Sequence, residues 1–144
     1  MNVETILKTK GGTVITIRPD ATIGEAARTL KRSRIGALVV SENGADVLGI
    51  VSERDIVGGL ADPARQDSIL DAPVSELMTS EVLTCRPEDS VQHCMAVMTE
   101  RRVRHLPVVR DGQMIGLVSI GDVVKNRLEE LESEAGFLRN LIAS

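Results

Sequence analysis

The stretch Gly49-Ile50-Val51-Ser52-Glu53-Arg54-Asp55 returns 67 positions later as Gly116-Leu117-Val118-Ser119-Ile120-Gly121-Asp122. A chain whose junctions repeat in register is built from two copies of one structural unit. In each copy a Gly and two aliphatic residues read as the end of a buried strand. The Ser, with an Asp three positions on, reads as the first turn of a helix. A hydroxyl and a carboxylate there, beside unpaired backbone N–H groups, can cap the helix or hold a phosphate and a sugar.

The rest of each copy follows the same order. Val3, Ile6 and Leu7 form a short helical entry, matched later by Val74 to Met78. Val14 to Ile17 predicts a strand ended by Arg18-Pro19-Asp20, and Thr84-Cys85-Arg86-Pro87 repeats Thr16 to Pro19. Thr22-Ile23-Gly24-Glu25 is a capping box in sequence form; it opens a helix with Ile23, Ala26, Ala27 and Leu30 on one face. Val91, Cys94, Met95 and Met98 take those positions in the second copy. The runs Gly36 to Val40 and His105 to Val109 predict buried strands. Asn43-Gly44 and Asp111-Gly112 predict hairpin turns, with Val47 to Val51 and Met114 to Val118 returning antiparallel. The order is strand, helix, strand, hairpin, strand, helix.

These readings give an α+β fold with repeat 1 over residues 1–60, a linker over 61–73, repeat 2 over 74–125 and an amphipathic helix over 126–144. The linker is poor in apolar residues, with a helical turn expected through Ala64 to Leu70. After Asp122 the helix continues through Val124, Leu128, Leu131, Ala135, Leu138 and Ile142, one apolar stripe opposed by Glu129, Glu130, Glu132 and Glu134. Such a stripe beyond the repeat unit needs a partner, and a second copy of the chain is the expected one.

Composition narrows the function. Without Trp or Tyr and with one Phe, the chain offers no aromatic platform for single-stranded nucleic acid, and a net charge of −4 opposes polyanion binding. No run approaches the roughly 20 apolar residues of a membrane span, and no signal peptide is visible, so the expectation is cytoplasmic. Cys85 and Cys94, without a second pair, fit neither a zinc site nor a disulfide framework and read as buried thiols. His93 and His105 have no metal-ligand spacing. No nucleophile with a base and no paired carboxylates are evident, so catalysis is not expected.

Tandem strand-helix-strand-strand-helix units, each ending in Gly-aliphatic-aliphatic-Ser-x-x-Asp, resemble the cystathionine β-synthase (CBS) domain pair, or Bateman module. The resemblance covers about residues 3 to 125. It implies two βαββα repeats packed about a pseudo-twofold axis, with two clefts for adenine-containing ligands such as AMP, ATP, NAD(H) or S-adenosylmethionine. It also implies a disc-like dimer. Carried over by position, one cleft takes Ser52 for phosphate, Asp55 for ribose, Arg54 near the phosphates, Thr16 and Ile17 beside the base, and Ala37 and Leu38 along its wall. The other takes Ser119 and Asp122, Thr84 and Cys85 beside the base, and His105, Leu106 and Pro107 along its wall.

Basic clusters at Lys31-Arg32-Arg34 and Arg101-Arg102-Arg104 complement helix C-termini, a role that needs no ligand. Arg104 is also a candidate phosphate contact. His105 is a candidate phosphate or ribose contact, with pH dependence near its ordinary pKa of about 6.5. Glu53-Arg54 against Ile120-Gly121, and Gly36-Ala37 against Arg104-His105, imply inequivalent clefts. The expected function is a regulatory nucleotide sensor that signals to a separate, unidentified protein. The alternative is a ligand-free dimerisation or interaction module, in which Ser52 and Ser119 only cap helices.

Overall fold

A computed structural model describes residues 1–143. In chain order it contains α1 (Val3–Lys10), β1 (Thr16–Ile17), α2 (Ile23–Ser33), β2 (Ala37–Val40), β3 (Gly49–Ser52) and α3 (Glu53–Ala61). Short 3-10 turns at Ile69–Asp71 and Val74–Glu76 follow, then α4 (Val91–Arg101), β4 (His105–Arg110), β5 (Gln113–Ser119) and α5 (Ile120–Ala143). The fold is α+β, and the long C-terminal helix is present.

The chain packs as two compact units that cut across the repeats. One holds Thr13–Leu83 with Asp111–Ile115; the other holds Met1–Gly12, Thr84–Arg110 and the chain from Gly116 onward. Each unit therefore takes its helix-strand frame from one repeat and its entry segment from the other. Backbone hydrogen bonds make the exchange in matching positions. In one unit Val74 N–H donates to Ala21 C=O (2.7 Å) and Ser75 N–H to Pro19 C=O (3.1 Å). In the other, Val3 N–H donates to Asp89 C=O and Glu4 N–H to Pro87 C=O, both at 2.9 Å.

The motif glycines make these seats possible. A Cβ on Gly49 would stand 2.6 Å from Met78 Sδ and 2.8 Å from the Thr79 carbonyl oxygen. A Cβ on Gly116 would stand 2.5 Å from Leu7 Cδ2. Leu7 and Met78 are the corresponding residues of the two entry segments, so both glycines exist for close approach.

In the Thr13–Leu83 unit β2 is central, parallel to β1 (Thr16 beside Val39) and antiparallel to β3 (Ala37 beside Ser52). Ile23, Ala26 and Leu30 of α2, Leu38 and Val40 of β2, Val51, Ile56, Ile69 and Val74 form its core. Full burial of each large aliphatic side chain contributes about 1.5–3 kcal/mol. The other unit buries Val3, Ile6, Cys85, Val91, Cys94, Met98, Leu106, Val108, Val118 and Val123. Cys85 and Cys94 are both free and buried.

Several local expectations are corrected. The strand read over Val14 to Ile17 is only Thr16–Ile17, and its counterpart is a single parallel bridge of Cys85 with Val108. Pro19 and Pro87, two residues beyond each, stop the ladder on its C-terminal side. Asn43-Gly44 is not a two-residue hairpin: β2 ends at Val40 and β3 begins at Gly49. Instead Asn43 Oδ1 accepts from the N–H groups of Ala45 (2.8 Å) and Asp46 (2.9 Å), the side chain substituting for a ladder bond inside a longer loop. Asp111 (φ 51°) and Gly112 (φ 77°) do form the tight turn between β4 and β5. Within the linker Ile69 is a buried core residue, and the helical turn expected through Ala64 to Leu70 is a 3-10 turn over Ile69–Asp71. Val74–Glu76 is also 3-10, whereas its counterpart in α1 is α-helical.

Candidate functional site

Both repeats build the same junction. Ser52 leaves β3 in an extended conformation and caps α3: its Oγ accepts from Asp55 N–H at 3.3 Å, while Asp55 Oδ2 accepts from Ser52 N–H at 2.9 Å and from Ser52 Oγ–H at 3.0 Å. Ser119 and Asp122 repeat the pair at the start of α5, with Asp122 Oδ2 accepting from Ser119 N–H at 2.9 Å and Ser119 Oγ accepting from Asp122 N–H at 3.2 Å. One more bond locks each junction to the neighbouring strand entry. Glu53 N–H donates to Gly36 C=O (3.0 Å), and Ile120 N–H donates to Arg104 C=O (2.8 Å).

The first site lies wholly within the Thr13–Leu83 unit. Register places Ala37 beside Ser52 and Thr16 two positions along the sheet from them, beside Val39. Thr16 and Ile17 are half-buried, and Arg54 is exposed on the first turn of α3, in no ion pair among the described residues. Leu38 is fully buried in the core cluster, so its side chain is a wall support rather than a free surface.

The second site lies wholly in the other unit and differs in charge. Lys10, in the last turn of α1, sends its ammonium to Asp122 Oδ2 at 2.6 Å and to Leu117 C=O at 2.9 Å. Burial would raise the Asp122 carboxyl, but Lys10 and the Ser119 N–H outweigh it and hold Asp122 below the usual carboxylate range. His105 lies in the same field: burial, then the Lys10 charge and a smaller Arg104 contribution, push its imidazole down, against an upward pull from Asp122. Thr84 and Arg104 are exposed; Leu106 and Pro107 are buried. Cys85 is buried, and the neighbouring Cys94 thiol of α4 together with burial pushes the Cys85 thiol up. Its backbone is engaged as well, the N–H donating to Pro107 C=O at 2.9 Å and the C=O accepting from Val109 N–H at 2.8 Å, so Cys85 backs the wall rather than presenting a free group.

Lys10 is the residue sequence reasoning missed. The register that sets Leu7 against Met78 also sets Lys10 against Glu81, a reversal of charge between copies that was its only signal. Among the described residues no group of three or more His, Cys, Asp or Glu side chains is placed to hold a metal, and no helix is long and apolar enough to cross a membrane.

Residues 6–62 and 74–129 each match the family model described as CBS domain. The chain is 35% identical over 137 residues to the mitochondrial CBS domain-containing protein CBSX3 of Arabidopsis thaliana, covering 90% of this chain and 66% of that protein. The crystal structure of the CBS-domain containing protein ATU1752 from Agrobacterium tumefaciens superimposes with a TM-score of 0.83 at 42% identity, over 88% of this chain and 99% of that one. The CBS domain protein PAE2072 from Pyrobaculum aerophilum, solved complexed with AMP, is similar at 29% identity with a TM-score of 0.74, over 85% of this chain and 89% of that one.

Proposed function

Because this chain belongs to the CBS-domain family, carrying a pair of such domains, we propose that it is a regulatory module that binds an adenine nucleotide at its two Ser-x-x-Asp junctions and signals to a separate protein. The observation that carries this reading is the paired junction itself. Each has a Ser hydroxyl and an Asp carboxylate at a helix N-terminus, where dipole and orphan N–H groups favour a phosphate. The AMP complex of the related PAE2072 supports the ligand class. AMP, ATP, NAD(H) and S-adenosylmethionine are the ligands to compare. The module acts in the cytoplasm as a homodimer and performs no catalysis of its own.

The two sites have unequal tasks. At the first, Asp55 bonds among the described residues only within its own capping box, and Arg54 stands exposed to meet phosphate. At the second, a ribose must share or displace the Lys10 contact on Asp122, while Lys10 itself becomes a phosphate counter-charge. Wall residues Thr16, Ile17, Ala37 and Leu38 on one side, and Thr84, Cys85, His105, Leu106 and Pro107 on the other, shape the space for the base.

The test is calorimetric titration with the four ligands, on the native chain and on Asp55→Ala and Asp122→Ala. Two unequal sites are expected, each lost with its own Asp. A ligand at 100 times its Kd should also add about 2.7 kcal/mol of stability. No heat and no thermal shift with any of the four would reject nucleotide sensing in favour of a ligand-free interaction module.

A further inference from the structure

Helix α5 has two faces. Val123 is buried, and Arg127 donates to Glu130 at 2.9 Å on the half-buried side of the helix. Another face carries Val124, Leu128, Leu131, Ala135, Leu138 and Ile142, all exposed; Leu128, Leu138 and Ile142 retain 56%, 58% and 85% of their surface. The steps between these six residues are 4, 3, 4, 3 and 4, the alternation of a coiled-coil seam rather than of a face wrapped onto a globular core. We infer that this seam is covered by the same helix of a second copy, in parallel and in register. The inference deepens the homodimer named above by giving it an interface and an orientation.

Charge decides the orientation. In the parallel pair the flanking residues that face each other are five apart. Glu134 then meets Arg139 of the second copy, and Arg127 lies towards its Glu132. Because Arg127 is already engaged with Glu130 of its own helix, the Glu134–Arg139 contacts, two by symmetry, do most of the selecting. In the antiparallel pair the register that matches all six seam residues sets Leu131 opposite Ala135 and Leu128 opposite Leu138. It also sets Glu132 against Glu132, Glu134 against Glu134, and Lys125 against Arg139. Every one of those is a like-charge contact, and like charges across a seam reject that pairing.

Light scattering on the full native chain, without ligand, should give twice the 15.5 kDa chain mass. Glu134→Arg or Arg139→Glu alone should raise the dimer Kd by about tenfold, and the double exchange should restore it. Because both native thiols are buried, Leu138→Cys supplies one exposed thiol, which under mild oxidation should cross-link to its own copy. Ligand titration on the same variants separates this from nucleotide binding, since the charge variants leave Ser52, Asp55, Ser119 and Asp122 untouched. A native monomer overturns the inference. So does a dimer that survives the change of both Leu131 and Leu138 to Asp, a failed double exchange, or cross-linking of Leu138→Cys only to a Leu128→Cys chain.

Discussion

Lys10 Nζ sits 2.6 Å from Asp122 Oδ2, joining residues 112 positions apart in the chain. The contact ties the end of α1 to the start of α5 at the carboxylate proposed to hold a ribose. A ligand held there would act on α1 directly, whereas among the described residues no ion pair meets Asp55. The pair is partly exposed, 39% and 25% for the two side chains, so its own contribution to stability is about 0.5–1 kcal/mol.

Lys10→Met should separate its two roles. Adenosine, which lacks phosphate, should bind the second site several-fold more tightly because Asp122 is released, while AMP should gain nothing or lose affinity because the counter-charge is gone. Calorimetry with the two ligands reads the difference directly. Equal changes for both would show that Lys10 does not face the phosphate.

The two motif glycines should differ in tolerance. Gly49→Ala drives a methyl against the Thr79 carbonyl oxygen at 2.8 Å, a backbone atom that cannot rotate away, and should cost about 2–3 kcal/mol. Gly116→Ala meets the far end of the Leu7 side chain, which can adopt another rotamer, and should cost about 1 kcal/mol. Urea denaturation of the two variants checks the order, and a larger loss at Gly116 would contradict it.

Both long repeat helices end on an arginine in the left-handed conformation, Arg34 at φ 54° and Arg102 at φ 56°. Only glycine takes this conformation without a Cβ penalty. Arg34→Gly and Arg102→Gly should each stabilise the fold by about 0.5–1 kcal/mol, visible as a rise in Tm. A fall in Tm would mean that the guanidinium makes a contribution larger than the backbone strain.

Acid should weaken the fold in two steps. His105 is held below its ordinary pKa by burial and by Lys10, so the folded state resists protonation that the unfolded chain accepts; stability falls as pH drops through about 6.5. Asp122 is also held low, chiefly by Lys10 and Ser119 acting against burial. Its contribution is present above the ordinary carboxylate value and fades as pH falls below about 4. Denaturant midpoints measured from pH 8 to 3 should show both legs, and His105→Gln should remove the first only.

Much of the fold was legible in the sequence because its signals are local. The caps at Thr22 and Ser52, the apolar faces of α2 and α4 and the Asp111-Gly112 turn follow from side chains within a few positions of each other. Asn43-Gly44 misled because a turn signal states that the chain bends there and not how many residues the bend uses. Ile69 was lost in a polar stretch, since one core residue leaves no periodicity to detect.

The sequence by itself determined the duplication, the two Ser-x-x-Asp junctions and their inequality at Glu53-Arg54 against Ile120-Gly121, because register and residue identity are properties of the chain alone. Tertiary structure decided which entry segment joins which repeat, and so placed Leu7 against Gly116, Met78 against Gly49 and Lys10 on Asp122. The two entry segments share one apolar pattern, and so do the two surfaces that receive them, so local periodicity does not say which joins which. Contacts made only in the folded chain, the Lys10–Asp122 ion pair among them, go with the exchanged arrangement.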